Sequence, residues 1–518
     1  MNMIKHSIVA LSLAAIGAIP AFAASQVNLT IDAAKPGPVI NKNVYGQFAE
    51  HLGTGIYEGM WVGPDSKIPN TKGWRNDVVG ALKQLHVPLV RWPGGCFADE
   101  YHWKDGIGPR GKRPVKVNTN WGGVEESNAV GTHEFFDLAD MIGADVYVNG
   151  NLGSGSVQEM SEWVEYLTSD SKSTLANLRR KNGHDKPFKV AYFAIGNEAW
   201  GCGGNMSPDH YADLYRNYQS FLKAPQANRP KMIASGGNDF NTQWTDVLST
   251  RLKGMTDAIS LHYYTIPTGK WAVKGAATGF PESEWMATLA NTLKMDGILK
   301  KNEEVLDKND PEKKIGLFVD EWGTWYDVEK GTNAGFLFQQ NTLRDAVVAA
   351  LNFNIFHNHA ERVKMTNIAQ MVNVLQAMIV TDKDKMVLTP TYYTYQMYVP
   401  FQDATSLPVA LSDAAPYALG GTSIPGVSAS AARAKDGKVY LALVNTNPGE
   451  PAEIAVNLAG AKVSGASGHV LTAAAMDAHN TFKAPQAIKP APYSAKAVNG
   501  KLNLTLPAKS VVVVALEG

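Results

Sequence analysis

The chain has 518 residues, with 48 basic against 48 acidic side chains, 45% hydrophobic residues and two cysteines. Balanced charge leaves no electrostatic footprint for nucleic acid or an anionic membrane. Two thiols make neither a disulfide scaffold nor a four-thiolate metal site, and the apolar content excludes disorder.

Residues 1–23 read as a secretory leader. Lys5 and His6 supply a basic start, Ile8 to Ile19 is an apolar run, and Ala21-Phe22-Ala23 is a small-x-small cleavage site. The run is shorter than the ~20 residues that span a bilayer, so the expectation is export, to the periplasm or the medium, and no membrane span. Residues 24–42 contain one β-rich run, Val27–Ile31, expected to join a later sheet.

From 43 to 390 short β-rich runs alternate with helical patterns. The runs are Val44–Phe48, Leu89–Trp92, Asp145–Asn149, Val190–Gly196, Met232–Ser235, Ala258–His262, Ile315–Asp320 and Asn367–Met371. Between them lie helical segments such as Asp77–Leu85, His133–Ile142, Asp209–Leu222 and Arg344–Phe356. Strands separated by helices argue for an α/β fold, a (β/α)₈ TIM barrel. An open doubly wound sheet would want a phosphate-binding glycine loop after its first strand, and none follows Phe48. After Pro390 helical periodicity stops, and residues 391–518 carry short alternating runs, among them Val439–Val444, Ala452–Asn457, Gly468–Leu471, Leu502–Leu506 and Ser510–Leu516. These predict a C-terminal antiparallel β-sandwich, jelly-roll-like, with Pro408–Val427 its most loop-like part.

Barrel chemistry sits at the C-terminal ends of the strands. Those ends carry Glu50-His51, Arg91 to Cys96, Asn149 to Asn151, Gly196 to Trp200, Leu261 to Tyr264, Val319 to Gly323, and Gln370. Amides and an arginine suit hydroxyls, aromatic rings suit the C–H faces of sugars, and paired carboxylates after the fourth and seventh strands suit glycoside hydrolysis.

The motifs Tyr45-Gly46-Gln47-Phe48-Ala49-Glu50-His51-Leu52-Gly53, Ile56-Tyr57-Glu58-Gly59, Arg91-Trp92-Pro93-Gly94-Gly95-Cys96-Phe97, Gly196-Asn197-Glu198, Asp320-Glu321-Trp322-Gly323 and Ile368-Ala369-Gln370-Met371-Val372-Asn373 occur in this order. In them the chain resembles glycoside hydrolase family 51, whose members are mainly α-L-arabinofuranosidases. The resemblance implies Glu198 as general acid/base and Glu321 as nucleophile of a retaining double displacement. It implies Glu50, Cys96, Asn197, Tyr264 and Gln370 as lining of the sugar pocket, Arg91 near the nucleophile, and His262 on the sixth strand. Trp121 is expected to wall the pocket. Some members carry Asn at the position of Cys96, which leaves a thiol or a backbone contact there.

The implied activity is exo-acting release of terminal arabinofuranosyl units from arabinan or arabinoxylan, as polysaccharide or oligosaccharide. An endo-β-glucanase of the same family and a non-catalytic carbohydrate-binding protein are the alternatives. No cofactor or metal is expected, and a homo-oligomer is left open. Asp320 rivals Glu321, since a shift of one residue decides which faces the barrel mouth, but the resemblance favours Asp320 as a structural partner. Asp99 and Glu100 read as solvated or structural, and Glu58 equally as holding the loop after the first strand; Trp61, Trp103, Trp200, Trp322 and Trp325 each read as packing, with one or two expected to stack on substrate at the cleft rim. Cys96 and Cys202 follow strands two apart around the rim, so separate free thiols are expected, with a disulfide the other possibility. Gly106-Ile107-Gly108-Pro109-Arg110-Gly111 matches a dinucleotide fingerprint but follows no strand. His357 and His359 near a helix end read as packing or surface residues.

Overall fold

The computed structural model of the chain describes residues 26–518; the expected leader lies outside them. Eight parallel strands close into a barrel in chain order: Gly46–Phe48, Leu89–Trp92, Asp145–Gly150, Tyr192–Ile195, Lys231–Ala234, Ala258–Thr265, Gly316–Thr324 and Val363–Ile368. Their inward side chains, among them Leu89, Tyr147, Tyr192, Ile233, Phe318 and Met365, fill the barrel interior. Outward residues of the same strands, such as Val90, Val148, Phe193, Ile259 and Val319, join the larger core under the surrounding helices. The period of two thus separates the two cores.

Several boundaries differ from expectation for local reasons. Lys42–Tyr45 is a 3₁₀ turn whose first free amides are capped by Asn41, so the first strand begins at Gly46. The eighth strand is Val363–Ile368, and Gln370 lies just beyond its end. A helix spans Pro390–Tyr398, where periodicity was expected to stop. Thr389 caps it, Pro390 takes the first-turn position that needs no N–H donor, and burial of nearly every residue erases the amphipathic pattern. The expected loop Pro408–Val427 contains the strand Val409–Ser412 and a hairpin, Pro416–Leu419 with Thr422–Pro425, turned at Gly420-Gly421, both at positive φ.

The C-terminal region forms two sheets. The six-stranded one runs Thr405–Leu407, Val427–Arg433, Val439–Asn445, Ser510–Glu517, Gly465–Leu471, Ala491–Lys496. The four-stranded one runs Val409–Ser412, Val27–Ile31, Ala452–Leu458, Leu502–Leu506. Leu29, Ile454 and Leu504 meet Leu441, Leu443, Val512 and Val514 in the core between them. The alternate residues Ala442, Val444, Val511 and Val513 point the other way and join the barrel core. The barrel helix Leu343–Asn358 lies against that face, with Asn354 Nδ2 donating to Ser428 Oγ at 3.1 Å and His357 Nδ1 2.9 Å from Ser430 Oγ. Both sides of one sheet are therefore buried, which fixes the sandwich against the barrel. No helix among the described residues is long and apolar enough to cross a membrane.

Candidate active site

A cavity of about 340 Å³ opens at the C-terminal ends of the barrel strands. Glu198 follows the fourth strand in the left-handed region, φ 40°, behind Gly196 at φ 82°, so the chain leaves the strand direction there and turns the carboxylate toward the mouth. Asp99 holds this turn: Oδ2 accepts the Asn197 N–H at 2.9 Å, and Oδ1 accepts those of Leu152 and Gly153, each at 2.8 Å. Its carboxyl is pushed up to about 7, burial outweighing those donors. Asp99 is thus an organiser of the rim, in keeping with its structural reading.

Glu321 lies in a bulge of the seventh strand. Ser260 to His262 on the sixth strand spans what Phe318 to Glu321 spans on the seventh, and Val319 to Trp322 faces only Thr366 to Ile368 on the eighth. One extra residue breaks the alternation. Asp320 and Glu321 therefore both belong to the barrel mouth while Trp322 packs outward on Phe353 and Phe356. The expected choice between the two acids is replaced by a division of partners. Asp320 accepts from Tyr147 Oη at 2.6 Å and from His262 Nε2 at 3.0 Å. Glu321 accepts from Arg91 Nη1 at 2.9 Å and from Tyr264 Oη at 2.9 Å.

His262 joins the two carboxylate systems. Its Nδ1 is 2.8 Å from Glu198 Oε1 and 3.5 Å from Glu321 Oε2. Burial pulls its pKa down, but the charges of Glu321 and Asp320 and its two hydrogen bonds outweigh that and push it up to about 10. It is an imidazolium whose two nitrogens both donate. One atom from each of Glu198, His262 and Glu321 lies within 4.8 Å of the others; a protonated His262 has no lone pair to offer, so acceptor capacity in this cluster belongs to the two carboxylates. Burial raises the Glu198 pKa, the His262 hydrogen bond works against it, and the Glu321 charge raises it further. Asp320 is lowered: burial opposes, and Arg91 and His262 win.

Arg91, fully buried, also donates from Nη2 to Asn197 Oδ1 at 2.5 Å and rests on the Phe48 ring, 4.4 Å from its centroid. Glu50 is held by four donors: the Gly95 and Phe97 amides at 2.9 and 3.1 Å, Trp121 Nε1 at 3.0 Å and Gln370 Nε2 at 3.0 Å. Burial, then the Glu321 charge, pushes Glu50 up to about 7 against those donors. The two glycines before Cys96 are sterically required. A Cβ on Gly94 would meet Glu50 Cγ at 2.6 Å, and one on Gly95 would meet Glu321 Oε1 at 2.5 Å.

The structure thus brings Glu50, Arg91, Asn197, Glu198, His262, Tyr264, Glu321, Gln370 and Trp121 to one site. Cys96 also lines the cavity, but the expectation of free thiols is corrected: Cys96 and Cys202 form a disulfide, with Cα atoms 5.5 Å apart. The segment after Glu198 doubles back through the Gly201 and Gly203 amides, which both donate to the Glu198 carbonyl, and this brings Cys202 to the rim of the second strand. Cys202 Sγ lies 3.5 Å from Glu198 Oε2. Trp200 and Trp325, two of the tryptophans of which one or two were expected at the rim, line the cavity, whereas Tyr147 and the wall residue Trp271 were missed as site residues. Tyr147 was legible, since it is inward on the third strand; the tryptophans carry no sequence signal that separates lining from packing. His357 is buried between Tyr45 and Ser430, and His359 faces Asp296 and Glu303, away from the site.

Two family models match: the alpha-L-arabinofuranosidase 1 domain over residues 81–278 and the alpha-L-arabinofuranosidase C-terminal domain over residues 320–510. A Bacteroides ovatus protein named an intracellular exo-alpha-L-arabinofuranosidase is 50% identical over 96% of this chain and 96% of its own. Among solved structures, a family 51 arabinofuranosidase from Xanthomonas axonopodis pv. citri is 51% identical, with a TM-score of 0.94 over 95% of this chain and 100% of that one. A thermostable family 51 alpha-L-arabinofuranosidase from Thermotoga petrophila is 28% identical, with a TM-score of 0.84 over 95% and 100%. The expected export is overturned by the Bacteroides ovatus relative, which is similar over nearly its whole length and is named intracellular. The residues on which export was read lie outside those described. Motif order, closed barrel, paired sheets and these similarities agree: the chain belongs to the α-L-arabinofuranosidases of glycoside hydrolase family 51.

Proposed function

We propose that this protein is an exo-acting, retaining α-L-arabinofuranosidase, with Glu321 as nucleophile and Glu198 as general acid/base. The observation that carries the reading is the carboxylate pair: oxygens of Glu198 and Glu321 lie within 4.8 Å of each other in the floor of the cavity. Retaining enzymes hold their carboxyl groups roughly 5–5.5 Å apart, too close for an intervening water. Glu321 attacks the anomeric carbon while Glu198 gives its proton to the leaving oxygen, so the glycosidic bond breaks as the arabinosyl ester forms. Esterification removes the Glu321 charge that raised the Glu198 pKa, and Glu198 then takes a proton from water. The water oxygen attacks the same carbon, the ester breaks, and Glu321 leaves as a carboxylate. Arg91 and Tyr264 donate to Glu321 and hold its charge in place. Glu50 and Gln370, with Trp121, are suited to the sugar hydroxyls.

The substrates are terminal arabinofuranosyl units on arabinan or arabinoxylan side chains. An endo-β-glucanase would need an open cleft, whereas here Trp121, Leu337, Leu375 and Gln370 wall one side of the cavity. The test is hydrolysis of an aryl α-L-arabinofuranoside against a β-glucan polymer, with NMR of the first-formed product. Arabinose released with retained anomeric configuration is the expected result. Glucan cleavage alone, activity on neither, or inversion would overturn the reading.

A further inference from the structure

The barrel covers only part of the outer face of the six-stranded sheet. Ala442 and Val513 are buried beneath it. The next cross-strand row, Tyr440, Ala515 and Ser467, instead forms the floor of an open groove of about 820 Å³. Tyr393 and Gln396 of the helix Pro390–Tyr398 form one wall. Gln486 and Lys489 form another, on a segment that Asn480 anchors. Its Nδ2 donates to the carbonyls of Leu388 and Ile488 at 2.9 and 2.8 Å, and its Oδ1 accepts the Ile488 N–H at 2.7 Å. The groove shares no lining residue with the catalytic cavity and has more than twice its 340 Å³.

The polar groups around it are unpaired. Tyr393 is only 8% exposed, yet its hydroxyl makes no hydrogen bond among the described residues. Buried hydroxyls are ordinarily bonded, so one left free at the wall of a groove is available to a ligand. The side chains of Gln396, Lys438, Ser467 and His469, which line the same groove, likewise make no hydrogen bond or ion pair among the described residues. The charge is one-sided: Lys438 and Lys489 are in the lining and no carboxylate is. Asp436 and Glu517 lie outside it, and Asp436 already accepts from the Tyr440 hydroxyl at 3.1 Å. Free hydroxyl, amide and imidazole groups beside two ammonium groups suit a ligand that carries many hydroxyls and repeated carboxylates.

We propose that this groove binds a uronate-bearing oligosaccharide, with Lys438 and Lys489 meeting its carboxylates and Tyr393, Gln396 and Ser467 its hydroxyls. The choice of a sugar as occupant rests on the glycosidase reading; the one-sided charge and the unpaired donors do not. Binding here is separate from the barrel mouth, so it governs how long an acidic branched chain stays on the enzyme and leaves bond cleavage itself untouched.

The test is calorimetric titration of the whole protein with tetragalacturonate, with a neutral cello-oligosaccharide of the same length, and with citrate. The wild type should bind tetragalacturonate about tenfold more tightly than either control, and several-fold more weakly as ionic strength rises from about 0.02 to 0.2 M. The double variant Lys438→Ala/Lys489→Ala should lose about tenfold in affinity, and Tyr393→Phe, which removes only the hydroxyl, about threefold. Hydrolysis of an aryl arabinofuranoside should be unchanged in both, which shows that they are folded. Absent binding, equal affinity for a control, or an affinity that both variants keep would overturn the site. A changed association state of the double variant in sedimentation would assign the groove to a second copy of the chain and overturn it as well. A wild type that binds tetragalacturonate but does not hydrolyse the aryl substrate would sink the functional reading and leave the site standing.

Discussion

The Nδ1 of His262 stands 2.8 Å from Oε1 of Glu198, and the pH dependence of the enzyme follows from that contact. His262 is held as a cation to about pH 10, so across neutral pH it donates to the ionised form of Glu198 and opposes the raising of that carboxyl by burial and by Glu321. With His262→Ala the opposing contribution disappears, and the Glu198 pKa rises further. The basic limb of the kcat/KM profile, which reports loss of the acid's proton in the free enzyme, should move to higher pH. A basic limb that stays in place, or moves down, would show that His262 does not tune Glu198.

Removal of the carboxylates separates their roles. Glu321→Ala should abolish turnover of an aryl arabinofuranoside, since no other group is placed to form the ester. Glu198→Ala should lower kcat by about 10²–10⁴-fold, with azide, which needs no base, restoring product as an arabinosyl azide. Near-normal turnover by Glu321→Ala would remove its assignment as nucleophile.

Glu50 should make the fold less stable as pH rises. Its folded pKa of about 7 lies above the ordinary value of 4.5, so between these limits the folded chain keeps a proton that the unfolded chain has released. Stability then falls across that window and stays at its lower level above it. Glu50→Gln has no charge to bury, and Gln370 Oε1, which has no hydrogen-bond partner among the described residues, can turn to accept from the new amide. Thermal unfolding at pH 5 and pH 8 should show the variant gaining on the wild type at the higher pH. Parallel curves would refute it.

The Cys96–Cys202 bridge closes a loop of 106 residues in sequence separation. Loops of that size lose enough unfolded-state entropy to be worth about 2–5 kcal/mol. Cys202→Ser should lower Tm, and a dithiol reductant should lower the wild-type Tm toward that of the variant without affecting the variant. Activity should fall too, because the bridge fastens the segment carrying Glu198 to the segment whose amides hold Glu50. An unchanged Tm in both experiments would mean that the bridge contributes nothing to the fold.

The reading of the sequence succeeded where one residue's neighbours in the chain decide its environment. Leu89–Trp92 is the second strand as expected, and Leu502–Leu506 is likewise a strand, because alternation or a short apolar run bounded by turn residues suffices there. The same holds for the convergence of Glu50, Glu198 and Glu321, since all strand ends of a closed barrel open on one face. It failed at Pro390–Tyr398, where a short helix buried on all sides has no amphipathic stripe, and at Pro408–Val427, where small residues hide strands that are stabilised by pairing partners distant in the chain.

By itself, then, the sequence determined the architecture and the inventory of the site: a closed barrel with a β-sheet module, two glutamates at the fourth and seventh strands, and the arginine, amides and rings around them. Only the tertiary structure decided how that inventory is divided. The bulge that turns both Asp320 and Glu321 into the barrel mouth is a property of the ladder with two neighbouring strands. The bridging of Glu198 and Asp320 by His262, the pairing of Cys96 with Cys202, and the exposure of Trp271 on a cavity rim each depend on distances between segments far apart in the chain. Local periodicity records which face a residue takes, but it carries no information on the partner waiting there.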